Sequence, residues 1–302
     1  MASGKEIKSR IKSIKNTGKI TKAMELISTV KMKKAQESVL SLRPFALAAL
    51  EILARISHEE SVLGIFWSSP ANATHELIIL VAAQKGLCGG YNVNIFKKAT
   101  EYIRDDNDRP YTREYNYITV GKRSRDFILR TWQSLVADFS EEINDPLTVG
   151  ESRRIVRFAI DEWKTGKYSK LSIIYNHYQS AITQLPTVKT LFPINQNDIE
   201  MFLTHVAGKE INEEKLVAYT IEPDVTTIVE YTIPMILDAM VHETLLESRA
   251  SEHAARMVAM KNAKDSADKK GASLTLVYNK ARQGAITKEV SEIVSGVESM
   301  KE

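Results

Sequence analysis

The chain has 302 residues, 43% hydrophobic and 26% charged, with a net charge of only +3, which excludes a disordered chain and a general polyanion binder. Its one cysteine, Cys88, excludes a disulfide framework or a cysteine-based zinc site. No apolar run approaches the ~20 residues that cross a bilayer, and stretch 77–83 is typical of those present.

Charge is concentrated at the start. Lys5, Lys8, Arg10, Lys12, Lys15, Lys19, Lys22, Lys31, Lys33 and Lys34 are opposed only by Glu6 and Glu25. Such a run is usually a solvated helix face; its functional readings are an acidic protein partner or nucleic acid. A transit peptide is discounted, because the pattern continues unbroken into a long helix. Ile7, Ile11, Ile14, Ile20, Met24 and Ile27 form a narrow stripe at 3–4 spacing, as on one seam of a coiled coil. The spacing predicts one helix over 1–57, on the order of 80 Å long. Gly18 interrupts it, and Pro44 is expected to kink it. Beyond Pro44 the stripe widens through Phe45, Leu47, Leu50, Leu53 and Ile56, as for a helix entering a core.

Residues 64–74 read as a linker. The apolar run 77–83 predicts a strand buried on both faces. A glycine-rich turn, 84–90, leads to a helix over 91–104. A strand at 116–120 and helices at 123–131 and 146–164 follow, the last with Pro146 near its start and Gly166 past its end. Stretches 171–178 and 187–192 read as a strand pair, and 216–220 as an edge strand. A helical turn at 226–230 precedes a second very long helix, from Pro234 to about 300. Ile236, Met240, Leu246, His253, Met257 and Met260 mark one face of it, and Gly271 is a soft spot. Its tip is rich in small residues: Ala281, Gly284, Ala285, Ser291, Ser295 and Gly296. Strand–helix alternation predicts an α/β insert domain, Rossmann-like with a partly parallel sheet. The division is 1–60 and 224–302 as an antiparallel two-helix coiled coil, with 61–223 carried between them.

Catalytic chemistry is hard to assemble. The 84–90 turn lies where phosphate loops lie, but it lacks both Gly-Lys-Ser/Thr and GxGxxG. A tight turn allowing close approach is the better reading. Cys88 has no indicated histidine partner and reads as a structural or surface thiol. His253 reads as a seam residue. No acid, base and pocket converge, so the chain is expected to be non-catalytic.

Three stretches resemble the γ subunit of the F-type ATP synthase: 11–24, Gly86-Leu87-Cys88-Gly89, and 251–260 continuing to 278–289. The layout matches over essentially the whole chain. The central motif departs from the family form, where Asp-Arg precedes Gly-Leu-Cys-Gly; Gln84-Lys85 stands here. The resemblance implies a central-stalk rotor. Its terminal helices would lie inside a ring of three α and three β subunits, and its central domain would dock on the ε subunit and the c-subunit ring. Proton flow would turn the shaft and drive the β sites, where catalysis belongs, through different nucleotide affinities. The resemblance implies no cofactor on this chain, since Mg-ATP, ADP and phosphate bind the α and β partners.

It also implies contacts with β. Lys22, Met24, Lys31 and Lys33 would face an acidic DELSEED loop. Lys85 and Cys88 would contribute from the central turn. Arg282 and Gln283 would hydrogen-bond a catch loop, with Thr287 nearby. The implied location is peripheral, on the cytoplasmic face of a bacterial plasma membrane or, alternatively, the matrix face of the mitochondrial inner membrane. Nucleic acid is not an expected partner: a basic coiled-coil scaffold leaves the small-residue tip and Arg282-Gln283 unexplained. A dinucleotide-dependent enzyme lacks its phosphate fingerprint.

Overall fold

The computed structural model describes residues 4–56, 73–107, 114–193, 201–202, 204–206 and 224–300. The expected linker at 64–74 lies mostly outside them, and the expected edge strand at 216–220 entirely so. The chain forms two compact units, Thr29–Ala255 and the pairing of Met1–Ser28 with Arg256–Glu302.

Helix α1 spans Gly4–Leu40 and α2 Arg43–Ile56. The expected single, kinked helix is therefore two helices. Ser41 and Leu42 form a turn, with the Leu42 N–H donating to the Val39 carbonyl at 3.1 Å. Pro44 falls in the first turn of α2, where a missing N–H removes no helical hydrogen bond.

The larger unit is built on a five-stranded sheet. Its elements are β1 (His75–Val81), α3 (Tyr91–Asn107), β2 (Glu114–Val120), α4 (Lys122–Arg130), β3 (Ser134–Asp138), α5 (Val149–Lys164), β4 (Tyr168–Tyr178) and β5 (Gln184–Phe192). The strand order is β3-β2-β1-β4-β5. All pairs are parallel except β4 with β5. Strand β3 escapes sequence reading because Ser-Leu-Val-Ala-Asp is short and half polar.

Strand β1 is buried on both faces, as its continuous apolar run predicts. Side chains alternate between faces. Leu77, Ile79 and Val81 pack in one cluster with Ala46 of α2, Ile155 and Trp163 of α5, and Ile236 and Met240 of the last helix. Ile78 and Leu80 pack on the other side with Ile95 of α3 and Ile128 of α4. Each such side chain contributes roughly 1.5–3 kcal/mol by leaving water.

The last helix, α6, runs unbroken over Val225–Ser299 with Pro234 inside it. It starts earlier than expected because Asp224 caps it: the Thr227 N–H donates to Asp224 Oδ1 at 2.8 Å. Its first half is tied to α5 and α3 of the sheet domain. Ser152 Oγ lies 2.9 Å from His242 Nδ1, Arg153 donates to Asp238 at 2.8 Å, and Tyr91 Oη lies 2.7 Å from Ser248 Oγ.

In the smaller unit the two helices run antiparallel. A Cβ placed on Gly271 would meet Ile14 at 3.8 Å, and one on Gly18 would meet Ala267 at 3.7 Å. The seam keeps Ile7, Ile11, Ile14 and Met24 of the predicted stripe, buried or half-buried, and departs from it at Ile20 and Ile27. Ile7, Gly18, Thr21 and Ser28 are buried, while Ile20 and Ile27 are 61% and 56% exposed. Small residues let the helices approach closely, and that rotates the later isoleucines outward.

Candidate partner interface

At the tip, every residue of α6 over 279–296 is exposed. Arg282, Gln283 and Thr287 all lie here. The Thr287 hydroxyl donates back to the Gln283 carbonyl at 3.0 Å. Ile286, Val290 and Ile293 form an exposed stripe at 4–3 spacing. An apolar stripe on a helix exposed all round is unfavourable unless something covers it.

A second exposed apolar strip lies on α1, through Ile20 and Ile27, with Leu26 beside it. Lys19 and Lys22 are exposed on the same stretch, and Met24 is half-buried. Lys22 reaches Glu25 at 3.3 Å, a surface pair worth little. The sequence reading placed Ile20 and Ile27 in the helix seam and so missed this strip. Its signal was the pair of small residues, Gly18 and Thr21, on the opposite side.

Lys31 and Lys33 belong to the larger unit. Lys33 is exposed. Lys31 is engaged within the chain: its ammonium donates to Asp145 Oδ2 at 2.8 Å, and His253 Nε2 lies 3.2 Å from the same oxygen. Hydrogen bonding to His253 and then Lys31 outweighs burial and holds the Asp145 carboxyl well below the usual carboxylate range.

The turn after β1 presents Lys85 and Leu87 to solvent, with Leu87 at φ 63. Cys88 points inward, 2% exposed, among Ala83, Tyr91 and Ala255. Its sulfur accepts a hydrogen bond from Asn92 Nδ2 at 3.1 Å. Around the turn the Ala83 N–H donates to Asn92 Oδ1 at 3.0 Å, the Tyr91 N–H to the Cys88 carbonyl at 3.2 Å, and the Lys122 N–H to Gln84 Oε1 at 2.9 Å. Leu87, not singled out from sequence, is the apolar side chain this turn offers outward. Among the described residues, no group of three or more His, Cys, Asp or Glu side chains is placed to hold a metal ion, and no helix is long and apolar enough to cross a membrane.

A mostly parallel α/β sheet domain, together with an antiparallel terminal helix pair whose tip is exposed all round, defines a stalk-type subunit. The family model described as ATP synthase matches residues 3–300. The ATP synthase gamma chain of Roseiflexus castenholzii is 34% identical over 304 residues, covering the whole of both chains. That of Chloroflexus aurantiacus is 34% identical over 303 residues, covering 99% of each. Among solved structures, a chain of the Euglena gracilis mitochondrial ATP synthase rotor superposes with a TM-score of 0.62 at 18% identity, over 94% of this chain and 98% of that one. The chain belongs to the ATP synthase γ-chain family, the central-stalk subunits of that complex.

Proposed function

We propose that this subunit is the rotating shaft that carries torque from a proton-driven c ring to the catalytic β subunits, and that it regulates their ATPase activity. The observation that carries this reading is the bare tip of α6. Over 279–296 the helix exposes an apolar stripe that none of the described residues covers, which suits a sleeve formed by other subunits. Small residues there limit steric grip, as a bearing requires.

The lysines of α1 would meet the acidic loop of β through shallow contacts. Exposed ion pairs contribute about 0–1 kcal/mol each, too little to stall rotation. Lys22 and Lys33 are the better placed for this, with Met24 between them in sequence. Lys31 would have to exchange Asp145 for the partner's carboxylate. At the central turn, Lys85 and Leu87 would make the outward contact, with Cys88 supporting them from within. Arg282 and Gln283, beside Thr287, would form hydrogen bonds of roughly 1.5–3 kcal/mol, strong enough to gate a step yet breakable. Nucleotide and magnesium would bind the α and β partners. The α/β domain would dock on ε and the c ring, placing the chain peripherally on the cytoplasmic face of a bacterial plasma membrane.

Reconstitution tests the proposal. Purified chain is mixed with α and β subunits, and the assembly is isolated by size and assayed with Mg-ATP. One copy per hexamer, with hydrolysis far above that of the separate preparations, is expected. No assembly, or several copies bound outside the ring, would refute it.

A further inference from the structure

The larger unit holds a cavity of about 490 Å³ that no part of the shaft mechanism uses. Its wall on α6 carries two carboxyl groups one helical turn apart, Glu243 and Glu247. Glu243 is only 4% exposed on its side chain, and Glu247 is also buried. Strand β4 contributes Tyr175 and His177, and His177 Nδ1 lies 2.8 Å from Glu247 Oε2. Strand β5 contributes Lys189, whose ammonium lies 3.9 Å from Glu243 Oε2. Met201, Phe202 and His205 form the remaining side. Phe202 and Val206 are anchored in the main apolar cluster, and the Lys189 ammonium sits 4.9 Å from the Phe202 ring centroid.

Two neighbouring carboxylates in a buried wall, facing one lysine and one histidine, ionise together only against large desolvation and mutual repulsion. We propose that Glu243 and Glu247 are a proton-binding site that holds one exchangeable proton between them, and that its loss loosens Phe202, His205 and Val206 from this wall. On release the O–H bond of one carboxyl breaks and the proton passes to water. The wall then carries two negative charges, and Lys189 is drawn from Phe202 toward them.

Burial first, and then the neighbouring Glu247, push the Glu243 carboxyl up to about 7 despite the opposing Lys189 and His205. Burial raises Glu247 as well. A group raised on folding stabilises the closed form below its unfolded value, about 4.3, and this stabilisation is lost as pH rises toward 7. The clasp is therefore closed in acid and opens in mild alkali. This goes beyond the shaft proposal and is tested on the isolated full chain, so it stands or falls whether or not the chain assembles.

The test measures thiol modification of Val206→Cys in a Cys88→Ala background. The rate is divided by that of the exposed reference Ile182→Cys, which cancels the thiol's own pH dependence. The ratio is expected to rise about tenfold between pH 6 and pH 8, the consequence of one proton with these two affinities. Glu243→Gln should flatten the rise, while His177→Gln and His205→Gln should leave it. A flat ratio in the parent would overturn the proposal without reference to any variant's folding. So would a rise that survives Glu243→Gln, or one that vanishes with either histidine variant.

Discussion

Gly121 links β2 to α4 at φ 95, and a Cβ there would lie 2.1 Å from the Ala82 carbonyl oxygen. That oxygen belongs to the backbone next to the central strand and cannot move aside cheaply. Gly121→Ala is expected to destabilise the chain by about 3 kcal/mol or more, read from the urea midpoint. Trp132 is the converse case. It follows α4 at φ 55, where the Gln133 N–H donates to the Ile128 carbonyl in the pattern that ends helices with a left-handed residue. Its side chain is 94% exposed, so it gains almost nothing from packing. Trp132→Gly removes the left-handed penalty and should stabilise the isolated chain by up to about 1 kcal/mol, seen as a higher urea midpoint at unchanged slope. A lower midpoint would mean that the exposed indole supports the fold.

Among the elements, α5 shows best how a local signal fixes a boundary. Pro146 suggested the start, but the helix begins at Val149 because Glu151 reaches back to the Thr148 N–H at 2.9 Å. Asn144 Nδ2 donates to the same carboxylate at 2.6 Å. Burial alone would raise this carboxyl, but these hydrogen bonds outweigh it and hold it below its usual value. A carboxyl depressed on folding stabilises fully above its unfolded value, about 4.3, and less as pH falls through the folded one. Glu151→Ala should therefore cost roughly 1 kcal/mol at pH 7, and the gap to the parent should narrow in acid. A gap that persists unchanged at pH 3 would locate the loss in packing instead.

The same local logic explains what could be read from sequence. Strand β1, the sheet domain and the helical character of both termini were legible because their periods are strong. The seam of α1 was legible only in part. Hydrophobicity pointed to Ile20 and Ile27, whereas close approach at Gly18 and Thr21 decided the rotation. The break at Ser41, a local turn closed by the Leu42 N–H on the Val39 carbonyl, and the short edge strand β3 carry no period of their own. Of the candidate contact residues, Arg282 and Gln283 lie on the exposed tip. The inward thiol of Cys88 and the Lys31–Asp145 pair depend on chain segments far away in sequence, which no local pattern records.

For the molecule as a whole, α6 is one covalent element of 75 residues, about 110 Å at the helical rise. Its first half is fixed to helices α5 and α3 of the sheet domain by Arg153–Asp238, Ser152–His242 and Tyr91–Ser248, and residues 279–296 are exposed among the described residues. On the proposal above, this element would carry a twist from the c ring to the β subunits. The most direct test is observation of rotation. The family's α and β subunits are fixed to a surface with this chain assembled between them, and a bead is attached at Ile182→Cys on the exposed β4–β5 hairpin. With Mg-ATP the bead should turn in one direction, pausing three times per turn, once for each β subunit. ATP hydrolysis at the full rate with a bead that only fluctuates in place would contradict the account.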